Sequence, residues 1–328
     1  MGTDPTTRLG VADHDERATE QAGPADARIP TPKPGVGMRS RLAVTVPYWF
    51  LAPALLALIL GFGFPSIDVI RRSFLTGAIV GANHWAGLAN FRRLFASSEF
   101  WQAVRVTLIF TVGSVTGTII LGFAAAMLMQ KTFRGRGAVR SILLVPWVMP
   151  LVPATLVWQW MFDSQYGCVN YLLKVLGISA HGVDWLNQPR AALASVLIVQ
   201  IWRNFPFAAV MYLSGLQTIP LEQYEAARVD GANGAKIIWY ITLPGLRQVT
   251  RMLVLLVTIW SFGTSLTVML LLTSGGPANA TQTLTLLTYS DAFARYDYGA
   301  ATAIGTLVLA ISAIFAAGYL RVARRHDA

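Results

Sequence analysis

The chain has 328 residues, 54% hydrophobic and only 13% charged, with a mean hydropathy of +0.52 and a net charge of +10. Soluble domains carry roughly a quarter charged residues, so this balance excludes an ordinary soluble enzyme and points to membrane spans joined by basic loops. A single cysteine, Cys168, rules out an intrachain disulfide, and the dispersed histidines His14, His84, His181 and His326 offer no clustered metal ligands, so no metal site is expected.

Residues 1–40 are polar, contain Pro and Gly, and show no apolar period, so they are expected to be a disordered cytoplasmic tail. They do not read as a signal peptide, because the apolar run begins too late and no small-residue cleavage pattern follows it. Beyond them six segments reach the roughly 20 apolar residues that a spanning helix needs. These are 46–64, 104–129, 139–162, 191–216, 252–273 and 301–320, and none contains Asp or Glu. The expected fold class is thus an all-α membrane protein with six transmembrane helices, filling residues 41–328. With both termini in the cytoplasm, the inner loops collect Lys131, Arg134, Arg136 and Arg140, and then Arg228, Lys236, Arg247 and Arg251. The outer loops hold fewer basic residues, which favours this orientation by the positive-inside rule.

Gly113 and Gly117 in the second span are spaced to let another helix approach closely. Pro146, Pro150 and Pro153 in the third span, and Pro206 in the fourth, are expected to interrupt their helices; carbonyls freed at such breaks must face protein or a water-filled cavity. Trp158 and Trp160 are expected in the aromatic belt at headgroup level. Arg203 is a charge deep in the fourth span, where it costs at least about 2.5 kcal/mol on insertion scales. It therefore faces the bundle interior or a cavity, either on a translocation path or held by backbone carbonyls or a partner subunit. Gln200, Asn204 and Phe207 flank it with amides and an aromatic face.

The loop 219–246 contains the most polar stretch between two long apolar runs, EQYEAARVDGANGAKIIWYITLPGL. Pro220 suits the first turn of a helix, Leu221, Tyr224, Glu225 and Arg228 fall on one helical face, and Gly231 after Asp230 is a natural left-handed stop. A second short helix is expected over 235–242, ended by Leu243-Pro244. Such a unit fits either a docking site for another protein or an amphipathic connector lying on lipid. In the fifth span Trp260, Ser261, Thr264 and Ser265 form a polar-edged stripe that suits a neutral polyol, or simply binds helices together.

EAARVDGA followed by ITLP resembles the EAA motif of bacterial ABC importer permeases. WAGLANFRRLF, IWRNFPFAAVMYLSGLQTIP, LLTSGGP and DAFARYDYGAATAIG resemble further segments of that family, so that the likeness covers roughly residues 45–325. It implies the type I ABC importer permease fold, with the loop between the fourth and fifth helices acting as a coupling helix on a separate nucleotide-binding subunit. On that reading Tyr224, Glu225, Ala226, Ala227, Asp230 and Gly231 serve ATPase coupling. Glu225 is expected to make the decisive contact, and Asp230 either touches the partner or only caps the turn. The resemblance is greatest to carbohydrate importers of the maltose and trehalose type, which implies a sugar cargo, with a disaccharide such as trehalose expected. It places Gln200, Arg203, Asn204, Phe207, Trp260, Ser261, Thr264 and Ser265 near the substrate path. In the maltose-type relatives asparagines stand where this chain has Ser and Thr.

The chain contains no GxxxxGK[ST] phosphate loop, so it is expected to be non-catalytic and to carry no cofactor, with ATP and Mg bound by partner ATPase subunits. The expected partners are a second permease, two nucleotide-binding ATPase subunits, an extracytoplasmic sugar-binding protein or lipoprotein, and membrane lipid, with no nucleic acid. The expected location is the bacterial cytoplasmic (inner) membrane. A permease for a different small solute is the alternative. A secondary transporter would commonly use intramembrane carboxylates, which the spans lack. A membrane enzyme would need a nucleophile with its base, or a metal cluster, and neither is apparent.

Overall fold

A computed structural model describes residues 51–77, 84–131, 133–179, 181–263 and 265–324, with the side chains of 320 and 322–324 left aside. The expected tail 1–40, the start of the first span at 46–50 and Thr264 lie outside the described residues. By its contacts the chain divides into Met1–Leu58, of which only 51–58 are described, as helix, and Ile59–Ala328, which holds the rest of the architecture.

Helix α1 runs over Leu51–Arg72 with a π-helical turn at Ile59–Gly63. A small antiparallel hairpin follows, β1 (Leu75–Thr76) with β2 (His84–Trp85), and then α2 (Ala89–Ala96). Helix α3 spans Ser98–Gln130, its first turn capped by the Ser97 hydroxyl accepting from the Phe100 N–H. Its 33 residues extend about 50 Å, well beyond the roughly 30 Å hydrocarbon core. The long helix α7 (Pro189–Leu216) packs along it. Glycines make that approach possible: a Cβ at Gly117 would collide with Ile201, and one at Gly122 would come within 2.5 Å of the Ala208 Cβ. The close packing expected at Gly113 and Gly117 is therefore present, with Leu197 lying against Gly113.

The expected third span, 139–162, is not one helix. It is α4 (Arg136–Val148) and α5 (Leu151–Met161), bent by 99°. Met149 and Pro150 are both extended, with ψ of 137° and 135°. The residue before a proline is pushed out of the α region, and so the helix stops there. Pro146 sits inside α4 and Pro153 in the first turn of α5, where a missing N–H costs little. Pro206 likewise fails to interrupt α7, which continues for ten residues beyond it to Leu216; it is buried, and the surrounding packing holds the helix through one lost hydrogen bond. The expected fifth span, 252–273, is also divided, into α10 (Arg247–Gly263) and α11 (Ser265–Leu272), at an angle of 46°.

Between α7 and α10 lies the loop that carries α8 (Leu221–Val229) and α9 (Gly234–Ile237). After α9 comes a π-helical turn, Ile238–Thr242, and Pro244 then opens a short helical turn, Leu243–Gly245, rather than closing the preceding helix. Short helix α6 (Cys168–Val175) joins α5 to α7; α12 (Leu284–Tyr289) and the final helix α13 (Tyr298–Arg324) complete the chain. Among the described residues four helices are long and apolar enough to cross a membrane, and up to six spans result if each bent pair counts as one.

The core is tiered along α3. Phe100 and Ala103 pack with Leu284, Leu287 and Ile304; Phe110 packs with Phe162, Val199 and Met269; Met129 packs with Tyr212, Leu246 and Leu253. The last tier anchors the roots of the α8–α9 loop, since Leu246 follows it directly and Leu216 precedes it.

Candidate functional site

The α8–α9 loop is rigidly shaped yet superficially attached. α8 has no buried residue. Its end is closed by paired backbone bonds, Ala232 N–H to the Ala227 carbonyl (2.9 Å) and Gly231 N–H to the Arg228 carbonyl (3.1 Å). This is a Schellman turn, which needs a left-handed residue at Gly231, whose φ is +76°. The backbone thus supplies the cap, and no Asp230 side-chain cap is needed. Asn233 then caps α9 by accepting from the Lys236 N–H at 2.9 Å.

The expected common face of Leu221, Tyr224, Glu225 and Arg228 is split. Leu221, Tyr224 and Arg228 line a groove of about 1040 Å³ with Met127, Lys131 and Leu216 from the ends of α3 and α7. The Tyr224 hydroxyl lies 3.4 Å from the Thr242 Oγ1, a long hydrogen bond across the loop. Glu225 is off that groove and exposed, as are Ala226, Asp230 and Gly231, while Ala227 is half-buried. A carboxylate beside small side chains on an exposed helix can receive a cation of another protein while that protein's surface comes close.

The substrate-path candidates separate into two groups. Arg203 Nη1 donates to the Met149 carbonyl at 3.1 Å, at the α4–α5 bend. The charge is therefore held by a backbone acceptor that the Met149–Pro150 break leaves outside any helix. The Phe207 ring stands between Trp147, at a centroid distance of 5.6 Å, and Trp260, at 5.0 Å. Arg203, Phe207 and Trp260 are half-buried and Trp147 is exposed, so together they form an accessible aromatic rim at the bend. Gln200 and Asn204 are instead enclosed, and the Asn204 Nδ2 has no hydrogen-bond partner among the described residues. Ser261 and Ser265 are also enclosed; their hydroxyls donate to the Val257 carbonyl (2.8 Å) and the Ser261 carbonyl (2.5 Å). Trp147 and Met149 were missed in the sequence, although both lie between Pro146 and Pro150. Trp158, expected in a headgroup belt, packs against Trp202 (5.4 Å) and Phe162 (5.2 Å), while Trp160 is exposed.

At the far end of α3, Arg295 grips Glu99 with both terminal nitrogens, at 2.6 and 2.9 Å, and reaches Asp291 at 2.9 Å. Gln282 donates to the same Glu99 at 3.1 Å, and Arg93 pairs with Asp297 at 2.9 Å. The hydrogen bonds to Glu99 raise the Arg295 pKa above its ordinary value, whereas burial raises that of Asp291 against the lowering effect of Arg295. The Asp291–Arg295 spacing of four was visible in the sequence; Glu99, 196 positions away, was not.

Residues 118–327 match the family of the binding-protein-dependent transport system inner membrane component. The chain belongs to that family. This permease is 35% identical over 240 residues to the trehalose/maltose transport system permease protein MalF of Thermococcus litoralis, covering 73% of the chain and 80% of the relative. It is 33% identical over 279 residues to the sulfoquinovosyl glycerol transport system permease protein SmoG of Agrobacterium fabrum, covering 84% and 90%. Its fold is shared with a chain in the crystal structure of a bacterial ABC transporter that imports the acidic polysaccharide alginate, at a TM-score of 0.75 and 22% identity over 87% of this chain and 98% of that one. The permease therefore has the mostly helical fold of ABC importer permeases and is a channel subunit.

Proposed function

We propose that this permease forms half of the translocation channel of a sugar importer, with a disaccharide such as trehalose as cargo, and that α8 couples it to a separate ATPase. The named cargoes of the relatives are sugars or sugar conjugates, which supports the substrate class. An aromatic rim beside a fixed guanidinium, without acids, suits stacking on sugar C–H faces and hydrogen bonding to hydroxyls. Gln200, Asn204, Ser261 and Ser265 belong in this reading to the polar wall behind the rim, and Thr264, outside the described residues, stays with them as a substrate-path residue.

The observation that carries the coupling role is the position of α8. Its loop joins the end of α7, which bears Arg203 and Phe207, directly to α10, which bears Trp260. Phe207 is only nine residues from Leu216, about 14 Å along the helix, so a pull on α8 reaches the rim through one rigid element. Tyr224 and Gly231 hold the shape of the loop, while Glu225, Ala226, Ala227 and Asp230 meet the ATPase. Two such ATPase subunits bind ATP and Mg, and a second permease completes the channel. An extracytoplasmic sugar-binding protein or lipoprotein delivers the cargo, as in the alginate transporter complexed with its loaded periplasmic protein. Both termini of the permease face the cytoplasm of the bacterial inner membrane.

The test is ATP hydrolysis by the reconstituted complex with trehalose and its binding protein, for the native chain and for Glu225→Arg. Loss of stimulation with normal membrane insertion supports the coupling role. Unchanged stimulation and uptake would reduce α8 to a connector on the lipid surface.

A further inference from the structure

Helix α6 turns an apolar face outward. Tyr171, Leu172, Val175 and Leu176 lie on that face, and Tyr171 and Leu176 are 67% and 68% exposed. Ile178, just past the helix, continues it. This is not a loose segment that could fold the face away. Asn170 on the opposite side is buried and accepts from the Val183 N–H (2.9 Å) and the Trp185 Nε1–H (3.0 Å), while its amide donates to the Val183 carbonyl (2.9 Å). Three partly buried contacts of this kind, with a fourth to the Ser164 carbonyl at 3.4 Å, fix the rotation of α6 about its axis.

The place of α6 in the chain says what meets that face. It sits between α5, half of a bent candidate span, and α7, a span that begins at Pro189. The docking loop follows the other end of α7, so α6 lies at the opposite end of the bundle. Its face adjoins, along the chain, the exposed Val157 and Trp160 of α5. Over residues 164–179 the only charged side chain is Lys174, in the last turn, and exposed Tyr166 and Tyr171 supply rings with polar tips. Aliphatic face, flanking tyrosines and a lone cation match the layered chemistry of a bilayer interface. A protein partner would more commonly be met with mixed charge at the rim.

We infer that α6 is an interfacial helix lying in the leaflet opposite the docking loop. Leu172, Val175 and Leu176 sit among the upper acyl chains, and the Lys174 ammonium sits at phosphate level. It thereby anchors the α5–α7 connection to lipid, at the end where Trp158 meets Trp202.

The lone thiol, Cys168, is exposed and falls on the same helical face as Leu172 and Val175, so it reports this contact without any substitution. The full chain with its co-purifying subunits is labelled there with a thiol-reactive fluorophore and reconstituted into phospholipid bilayers. Lipids carrying a nitroxide near the headgroup are expected to quench it about threefold more than aqueous iodide does, and more than lipids labelled at the acyl terminus. The same fluorophore on Asn187→Cys in a Cys168→Ser chain gives the water-exposed reference. Iodide quenching equal to that reference would overturn the inference by placing the face in water. Shielding from both quenchers that disappears when other subunits are stripped, or that appears only with an added binding protein, would overturn it by placing protein there.

Discussion

Where α3 reaches Gln130, the adjoining α8 has no buried residue and is tied back by one long hydrogen bond, Tyr224 to Thr242. Where α3 begins at Ser98, Arg295 joins Glu99 and Asp291, Gln282 adds a fourth member, and Arg93 pairs with Asp297. The Glu225 carboxylate makes no ion pair among the described residues, whereas Glu99 is held by a bidentate guanidinium. A bundle that must be driven at one end needs a handle there that another protein can seize, and contacts at the other end that keep distant segments in register. The contrast teaches that the charges at the Ser98 end of α3 are satisfied within the chain while Glu225 at the other end is left exposed, as the proposed coupling role requires.

Four experiments can break or sharpen that contrast. Glu225→Arg should have the largest effect, cutting sugar-stimulated ATP hydrolysis about tenfold or more by placing a cation where a cation is to be received. The thermal unfolding midpoint of the isolated chain should not move, and a fall in that midpoint would instead make Glu225 structural. Arg295→Met should act the other way round. It leaves the buried Asp291 without its partner and is expected to destabilise the chain by about 1–2 kcal/mol, since the pair is partly exposed and screened. Chemical denaturation in detergent reads this, and Arg295→Lys should recover only part because a point charge cannot bind Glu99 with two nitrogens.

Arg203→Lys tests the rim between the two ends. Its effect is expected in uptake, a several-fold loss with assembly intact, because the shorter lysine ammonium no longer reaches the Met149 carbonyl with the same geometry. Flux assays in vesicles would decide it, and unchanged flux would remove Arg203 from the path. Gly231→Ala should have the smallest effect, costing about 1 kcal/mol by forcing a Cβ into the left-handed region. It should slightly lower stability and reduce coupling by less than Glu225→Arg does. Equal losses for the two would mean that loop shape, not the carboxylate, carries the contact.

Much of this was readable along the chain. Helical apolar runs placed the long helices, because a lipid-facing helix must be apolar over its whole length whatever it packs against. The Gly231 stop and the exposed EAA helix were equally local, since a Schellman turn is closed within six residues. Gly113 and Gly117 announced a close helix approach without saying that Leu197 and Ile201 of α7 would fill it.

Proline marks a place where a helix can break, but Pro150 broke one and Pro206 did not. The difference lies in what surrounds each: Pro206 is buried in the middle of a long, packed helix, while Met149 and Pro150 turn the chain by 99° and present a carbonyl to Arg203. The sequence by itself determined the long helices, the short exposed helix between α7 and α10 and the presence of a charge that needed a partner, because these follow from local geometry and from the cost of polar groups in lipid. Only the tertiary structure decided which partner each charge found, Met149 for Arg203 and Glu99 for Arg295, and which polar residues reach an open rim while others are sealed inside. Pairings between groups far apart along the chain depend on helix packing angles, and no local pattern encodes those.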